Sequence, residues 1–156
     1  MGTNESMKKV FQTKLTDTNT VDLEGIGVLR FEGAKVYKWV TYNDAAVAAV
    51  AGQVVVYHGD DSVVADSAAD VTSDFSDGAG VVAGVLQAVI ANGSYGWIQI
   101  KGVAVLALAL DSGADGNELI VGTTDGALAV RASAAQHTAG VAIDASGKIV
   151  LLDCPW

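Results

Sequence analysis

Short apolar stretches rich in Val, Ala and Ile, each cut off by a glycine or by an Asp and Ser cluster, recur from Gly27 onward and predict strands. Val28-Leu-Arg-Phe-Glu32 and Ala34–Asn43 read as a hairpin around Glu32-Gly33, with Val36 alternating against Tyr37 and Trp39 in the second strand. Gln53–His58 reads as a strand closed by Gly59-Asp-Asp-Ser62, with Val63–Ala65 as a short partner. Trp97-Ile-Gln-Ile-Lys101 alternates, which sets Trp97, Gln99 and Lys101 on one face and Ile98 and Ile100 on the other. Glu118–Val121 and Ala127–Arg131 flank Gly122-Thr-Thr-Asp-Gly126, and Val141–Ile143 faces Lys148–Leu152 across Asp144-Ala-Ser-Gly147. Short strands with glycine turns at this spacing predict an all-β fold, a small barrel or sandwich of short antiparallel strands.

Other segments read less simply. Asp44–Gly52 is alanine-rich, so it suits a short helix by propensity, but Gly52 stops it after two turns or so, leaving a short helix or an extended loop. Asn92-Gly93 is the signal of a type I′ turn, whose two central residues need positive φ. Residues 66–80 form the longest polar connection. Val103–Leu110 is apolar on both faces, and reads either as a fully internal strand or as one with its small-residue face against another subunit. Residues 1–20 carry only Val10, Phe11 and Leu15 as anchors and predict a flexible N-terminal arm, with 21–156 as a single β domain.

Within that domain the plan is duplicated. Residues 52–102 and 116–153 both run as strand, glycine-bearing turn, strand, and the second copy is shorter and lacks the Tyr95-Gly-Trp97 segment. Trp97 reads as a core edge or a subunit contact, since Trp is enriched at both, and Tyr95 and Trp97 mark where the halves stop being equivalent.

Composition narrows the classes. Of 156 residues, 51% are hydrophobic but only 6% aromatic, so a large aromatic-lined pocket is not expected. A formal charge of -9 disfavours nucleic acid and anionic membranes as partners, because phosphate binding needs clustered Lys and Arg. Six of the nine basic residues fall in the first forty positions, which gives an acidic body and a leading segment with a basic cluster near its tip. Cys154 stands alone, which fits synthesis in a reducing cytoplasm and offers no nearby base to activate a thiol. The first residues lack the apolar core of a secretory signal, and the longest apolar run is far shorter than the roughly twenty residues of a spanning helix.

Candidate chemistry is sparse. Four Asp in residues 66–80 invite a calcium reading, but their spacing does not match a calcium-binding loop, and a solvated loop capped by Asp and Ser explains them as well. His58 and His137 lie outside any His-x-x-x-His spacing, and the paired carboxylates Asp60-Asp61 suit a turn. Neither a cofactor nor a metal is expected.

The plan Ala51-Gly-Gln-Val-Val-Val-Tyr57, Val64-Ala-Asp-Ser67, Val82-Ala-Gly-Val-Leu86 and Gly93-Ser-Tyr-Gly-Trp-Ile-Gln-Ile-Lys-Gly-Val-Ala104 resembles the capsid decoration, or cement, proteins of tailed bacteriophages. The resemblance covers roughly residues 45–156 and is most specific at Tyr95-Gly-Trp-Ile-Gln-Ile-Lys-Gly102; Val28–Val40 also looks like the opening of such virion proteins. It implies a small β-barrel, commonly a homotrimer, on the outer surface of the phage head, where it binds the major capsid protein and bolts neighbouring capsid subunits together. It implies no enzyme and no catalytic residue. On this reading Lys8, Lys9, Phe11 and Lys14 of the arm are the expected capsid contacts and Tyr95 and Trp97 the expected subunit contacts. Two rivals remain: a head-fibre or tail adhesin base with a glycan-binding face on Trp97, Tyr95 and Tyr57, and a small β-fold hydrolase using Asp60, Asp61 and His58.

Overall fold

A computed structural model describes residues 9–59 and 69–156 of the chain. The alternating stretches become strands β1 Leu29–Glu32, β2 Lys35–Tyr42, β3 Val54–His58, β4 Asp70–Thr72, β5 Gly78–Leu86, β6 Ser94–Val105, β7 Glu118–Val121, β8 Leu128–Val130, β9 Gly140–Asp144 and β10 Ile149–Asp153, with a short 3-10 turn at Phe75–Asp77. The fold is all-β. The three expected hairpins form with Phe31 opposite Val36, Ile120 opposite Ala129, and Leu151 opposite Val141. The expected strand at Val63–Ala65 and the Asp60-Asp61 pair lie outside the described residues.

Five strands close into a ring. β2 pairs with β6, β6 with β5, β5 with β3, β3 with β4, and β4 returns to β2. The closing pair, Thr41 with Asp70 and Tyr42 with Val71, is parallel, a departure from the antiparallel plan expected of short strands. Closure leaves none of the five with a free ladder along its whole length, which is how small barrels avoid open edges. β6 is long enough to do two jobs: its first part pairs with β2, and residues 101–105 pair with β10.

The strand order β4-β3-β5-β6-β10-β9-β7-β8 reads the same from either end. β3 pairs with β4 and β5, and β5 with β6; β7 pairs with β8 and β9, and β9 with β10. The halves therefore share one pairing plan about the β6–β10 junction. Only the first half is closed by β2.

Valine and isoleucine fill the interior. Val54, Val55, Val85, Ile98, Ile100, Leu119, Leu128 and Val150 belong to one continuous core running through both halves. Ile98 and Ile100 point into it while Trp97 joins Trp39 and Tyr37 in a separate cluster on the outer face, the split that alternation predicts.

Of the two readings of the alanine-rich segment 44–52 the loop is the one found, because the Asp44 carboxylate takes the amides of Ala46 and Val47, both at 2.8 Å, and the Tyr42 hydroxyl donates to Val47 O. Three expectations are corrected. Residues 66–80 are not simply a loop, since they contain β4 and the start of β5. Asn92-Gly93 is not a type I′ turn: Gly93 has φ 74° but Asn92 has no positive φ, and β5 and β6 are joined by residues 87–93 with Ile90 buried in the core. Asn92 instead accepts from the Asp44 amide at 3.0 Å. Finally, in Val103–Leu110 it is Ala104 and Leu106 that turn inward, and Val103 and Val105 that face out.

Candidate functional site

Residues 9–28 lie across the outer face of β2 and β6. The sequence expectation of a free arm over 1–20 fails for its described part, because the outward Trp residues supply what the polar segment lacks. Phe11 packs edge-on against Trp97 with ring centroids 5.4 Å apart, and Trp39 meets Trp97 edge-on at 5.2 Å and Tyr95 stacked at 6.4 Å. The Arg30 guanidinium lies 5.1 Å from the Phe11 ring centre and 5.7 Å from that of Trp97. Such aromatic and cation contacts contribute roughly 0.5–1.5 kcal/mol each beyond the area they bury.

Polar anchors fix the register of this strap. The buried Glu24 carboxylate, through Oε1, accepts from the amides of Gln12 and Thr13, both at 2.7 Å, and from the Thr13 hydroxyl at 2.8 Å. The Thr13 hydroxyl in turn accepts from Trp97 Nε1 at 2.9 Å, and Arg30 donates to Thr13 O at 2.8 Å. Asp22 caps the turn at Gly25 and Ile26 and accepts from Trp39 Nε1 at 2.9 Å. Asn19 and Tyr95 exchange backbone bonds of 3.0 and 2.8 Å, a one-residue extension of the sheet. Each indole N–H thus ends on a strap side chain, so the strap is specified by hydrogen bonds as well as by area.

The close fit also explains Gly96. A Cβ there would stand 2.5 Å from Ile90 Cδ1, so only glycine lets β6 pass over the plug formed by Ile90.

Of the expected capsid contacts, Lys8 lies outside the described residues. Lys9 sits at the strap's start, donating to Glu24 O, with its ammonium 3.9 Å from Glu24 Oε2 and 5.4 Å from the Phe11 ring. Lys14 is exposed, as is Val10 beside Lys9, whereas Phe11 turns inward and anchors the strap. Trp97, expected as a subunit contact, has no exposed surface: its position is the core-edge alternative. Tyr95 is half-buried against Trp39.

The three residues of the glycan-face rival are not brought together, and of the hydrolase rival's residues Asp60 and Asp61 lie outside the described residues. Tyr57 packs against the main core, apart from the Trp97 and Tyr95 cluster, with the Lys38 ammonium 5.1 Å from its ring. Burial pushes the Tyr57 hydroxyl up to about 12, and likewise the Cys154 thiol to about 12, which keeps both neutral. His137 is exposed and His58 half-buried. Among the described residues no group of three His, Cys, Asp or Glu side chains is placed to hold a metal. A surface hollow of about 630 Å³ among the described residues is open and lined by Ala109, Leu110, Gly113, Asp115 and Ser146.

Sequence reasoning missed Thr13, Asp22, Glu24, Arg30 and Trp39. Their signal was present in the two outward-facing Trp positions at Trp39 and Trp97, which needed a cover. The fold and this face define an all-β protein whose leading segment is strapped over an aromatic outer surface. No family model, no curated protein and no solved structure matches the chain.

Proposed function

We propose that the chain is a non-enzymatic structural protein of a tailed-phage virion, which binds the outside of the head and cements neighbouring major capsid subunits. The observation that carries the reading is the strap. It is held by its inward residues Phe11 and Thr13, while Lys9, Val10 and Lys14 line its outer side next to an otherwise acidic chain. A basic and apolar strip on a rigid backing suits an acidic protein surface, and holding it in place beforehand removes much of the ordering cost of docking. Many copies on one shell then add modest contacts into strong reinforcement. The resemblance centred on Tyr95–Gly102 supports the same class, with Tyr95 and Trp97, expected as subunit contacts, backing the strap.

Removing residues 1–20 would bare Trp97 and Trp39, so charge reversal is the cleaner test. Purified expanded heads lacking the decoration protein are incubated with wild-type chain, with K9E/K14E and with K14E, then pelleted. Wild type is expected to co-sediment, the double variant to lose most of its binding, and K14E alone, which leaves the contacts of Lys9 with Glu24 in place, to lose part of its binding with its melting temperature nearly unchanged. Failure of the wild type to pellet with heads would overturn the proposal, and full binding by K9E/K14E would overturn the strap's part in it.

A further inference from the structure

β6 changes partners at a point where the sheet opens. Its residues Ile98 and Gln99 pair with Leu86 and Val85 of β5, and from Lys101 onward it pairs with β10 instead. The parting leaves a cleft of about 430 Å³, lined by Lys35, Leu86, Gln87, Gln99, Val103 and Ala104 among others. That volume falls within the roughly 300–1,000 Å³ of small-ligand sites, which combine apolar walls with a few placed polar groups.

The polar groups here are set by the backbone around them. Gln99 is 3% exposed, and its Nε2 donates to Lys101 O at 3.1 Å and to Val103 O at 3.0 Å, across the bulge where Ile100 is the extra residue of β6. Only the amide NH2 can serve two carbonyls, so the orientation of the group is fixed. Its Oε1 has no donor among the described residues, in a side chain that lines the cleft. Gln87 repeats the arrangement: Nε2 donates to Val85 O at 3.0 Å and Oε1 is left without a donor among the described residues.

Gly102 brings in the third group. Its φ is 92°, and a Cβ there would stand 2.7 Å from Ala34 O and 3.1 Å from Lys35 Cγ, so glycine lets Lys35 lie close along β6. Half-buried Lys35 makes no ion pair or hydrogen bond among the described residues, whereas Arg30, Lys101 and Arg131 each pair with a carboxylate. In a chain of charge -9, an unpaired ammonium in a cleft with no acidic wall calls for an anion from outside.

We infer that the cleft binds the C-terminal end of a polypeptide whose last residue is aliphatic. The terminal carboxylate meets Lys35, the last amide N–H donates to a glutamine Oε1, and the last side chain packs against Leu86, Val103 and Ala104. The polar set selects this occupant. A fatty carboxylate would satisfy Lys35 but leave both amide oxygens without donors, and a free amino acid would bring an ammonium to walls that hold no carboxylate. A chain end supplies one negative charge together with neutral N–H donors.

Amide NMR of the isotope-labelled intact chain tests the assignment, with N-acetyl-alanyl-leucine, the C-terminal amide of the same dipeptide, and free leucine as ligands. The acetylated dipeptide is expected to shift the Gln87 and Gln99 side-chain signals saturably, with Kd below about 1 mM. Its amide form and free leucine should bind at least about 10-fold more weakly to wild type, as should the dipeptide to Lys35→Gln. Absence of saturable shifts up to about 10 mM dipeptide overturns the inference. So does equal binding of the amide form, which takes the carboxylate out of recognition, or equal binding of free leucine, which takes the peptide N–H out of it. Those comparisons use wild type and stand whether or not Lys35→Gln folds; a folded Lys35→Gln that binds like wild type also overturns the inference.

Discussion

Glu24 holds the strap through a single oxygen that accepts from two amides and a hydroxyl. Glu24→Ala leaves those donors buried without an acceptor and is expected to cost about 3 kcal/mol in urea unfolding, whereas Glu24→Gln, which keeps an acceptor oxygen, should cost clearly less. Equal losses from the two variants would show that the hydrogen bonds are not what matters. Phe11→Ala removes the cover of Trp97 and should cost about 2 kcal/mol while shifting the tryptophan emission to longer wavelength. An unchanged spectrum would mean that Phe11 does not shield the indole. These residues were hard to read from the sequence because each is ordinary alone: a lone Phe, a Thr and a Glu in a polar stretch gain their meaning only when the sheet presents two Trp to them.

Local alternation made the elements largely legible. Where one face is buried, a side-chain period of two fixes both strand and register, and β1–β2, β7–β8 and β9–β10 pair across the turns the glycines mark. What stayed hidden was long-range. The parallel closure of β2 on β4, the ring it completes and the role of Ile90 as a plug depend on residues far apart in sequence, which no local pattern encodes. Asn92-Gly93 misled because Asn92 is spent on the Asp44 amide, a tertiary bond that outweighs the turn preference. Gly96 tests this level directly. Gly96→Ala should destabilise the protein by about 1–3 kcal/mol through its clash with Ile90, and Ile90→Ala in the same chain should recover part of the loss. Additive costs in the double variant would contradict the close contact as the cause.

At the scale of the whole molecule, some of the carboxylates are structural. Burial pushes the Asp44 carboxyl up, but the amides of Val47 and Ala46 and the Thr72 hydroxyl outweigh it and hold it low; at Asp111 the bonds from Thr124 and Thr123 likewise outweigh burial. Asp144 is lowered by the Gly147 amide and by Ser146. A carboxyl lowered in the folded state adds stability that is full above its unfolded value, about 4, and is lost as pH falls through the folded value. Asp70 acts in the opposite sense, because burial raises it, so protonating it relieves a cost. Among the described residues, three lowered carboxyls against one raised predict a melting temperature that is flat near neutrality and falls below about pH 4, and a rise there would contradict this account of the turns. On the proposed reading, the outer side of the strap is the surface that meets the capsid. Electron cryomicroscopy of expanded heads incubated with the purified chain tests that view most directly: it predicts added density on the outside of the shell, bridging neighbouring capsid subunits, and a head surface unchanged by saturating protein would contradict it.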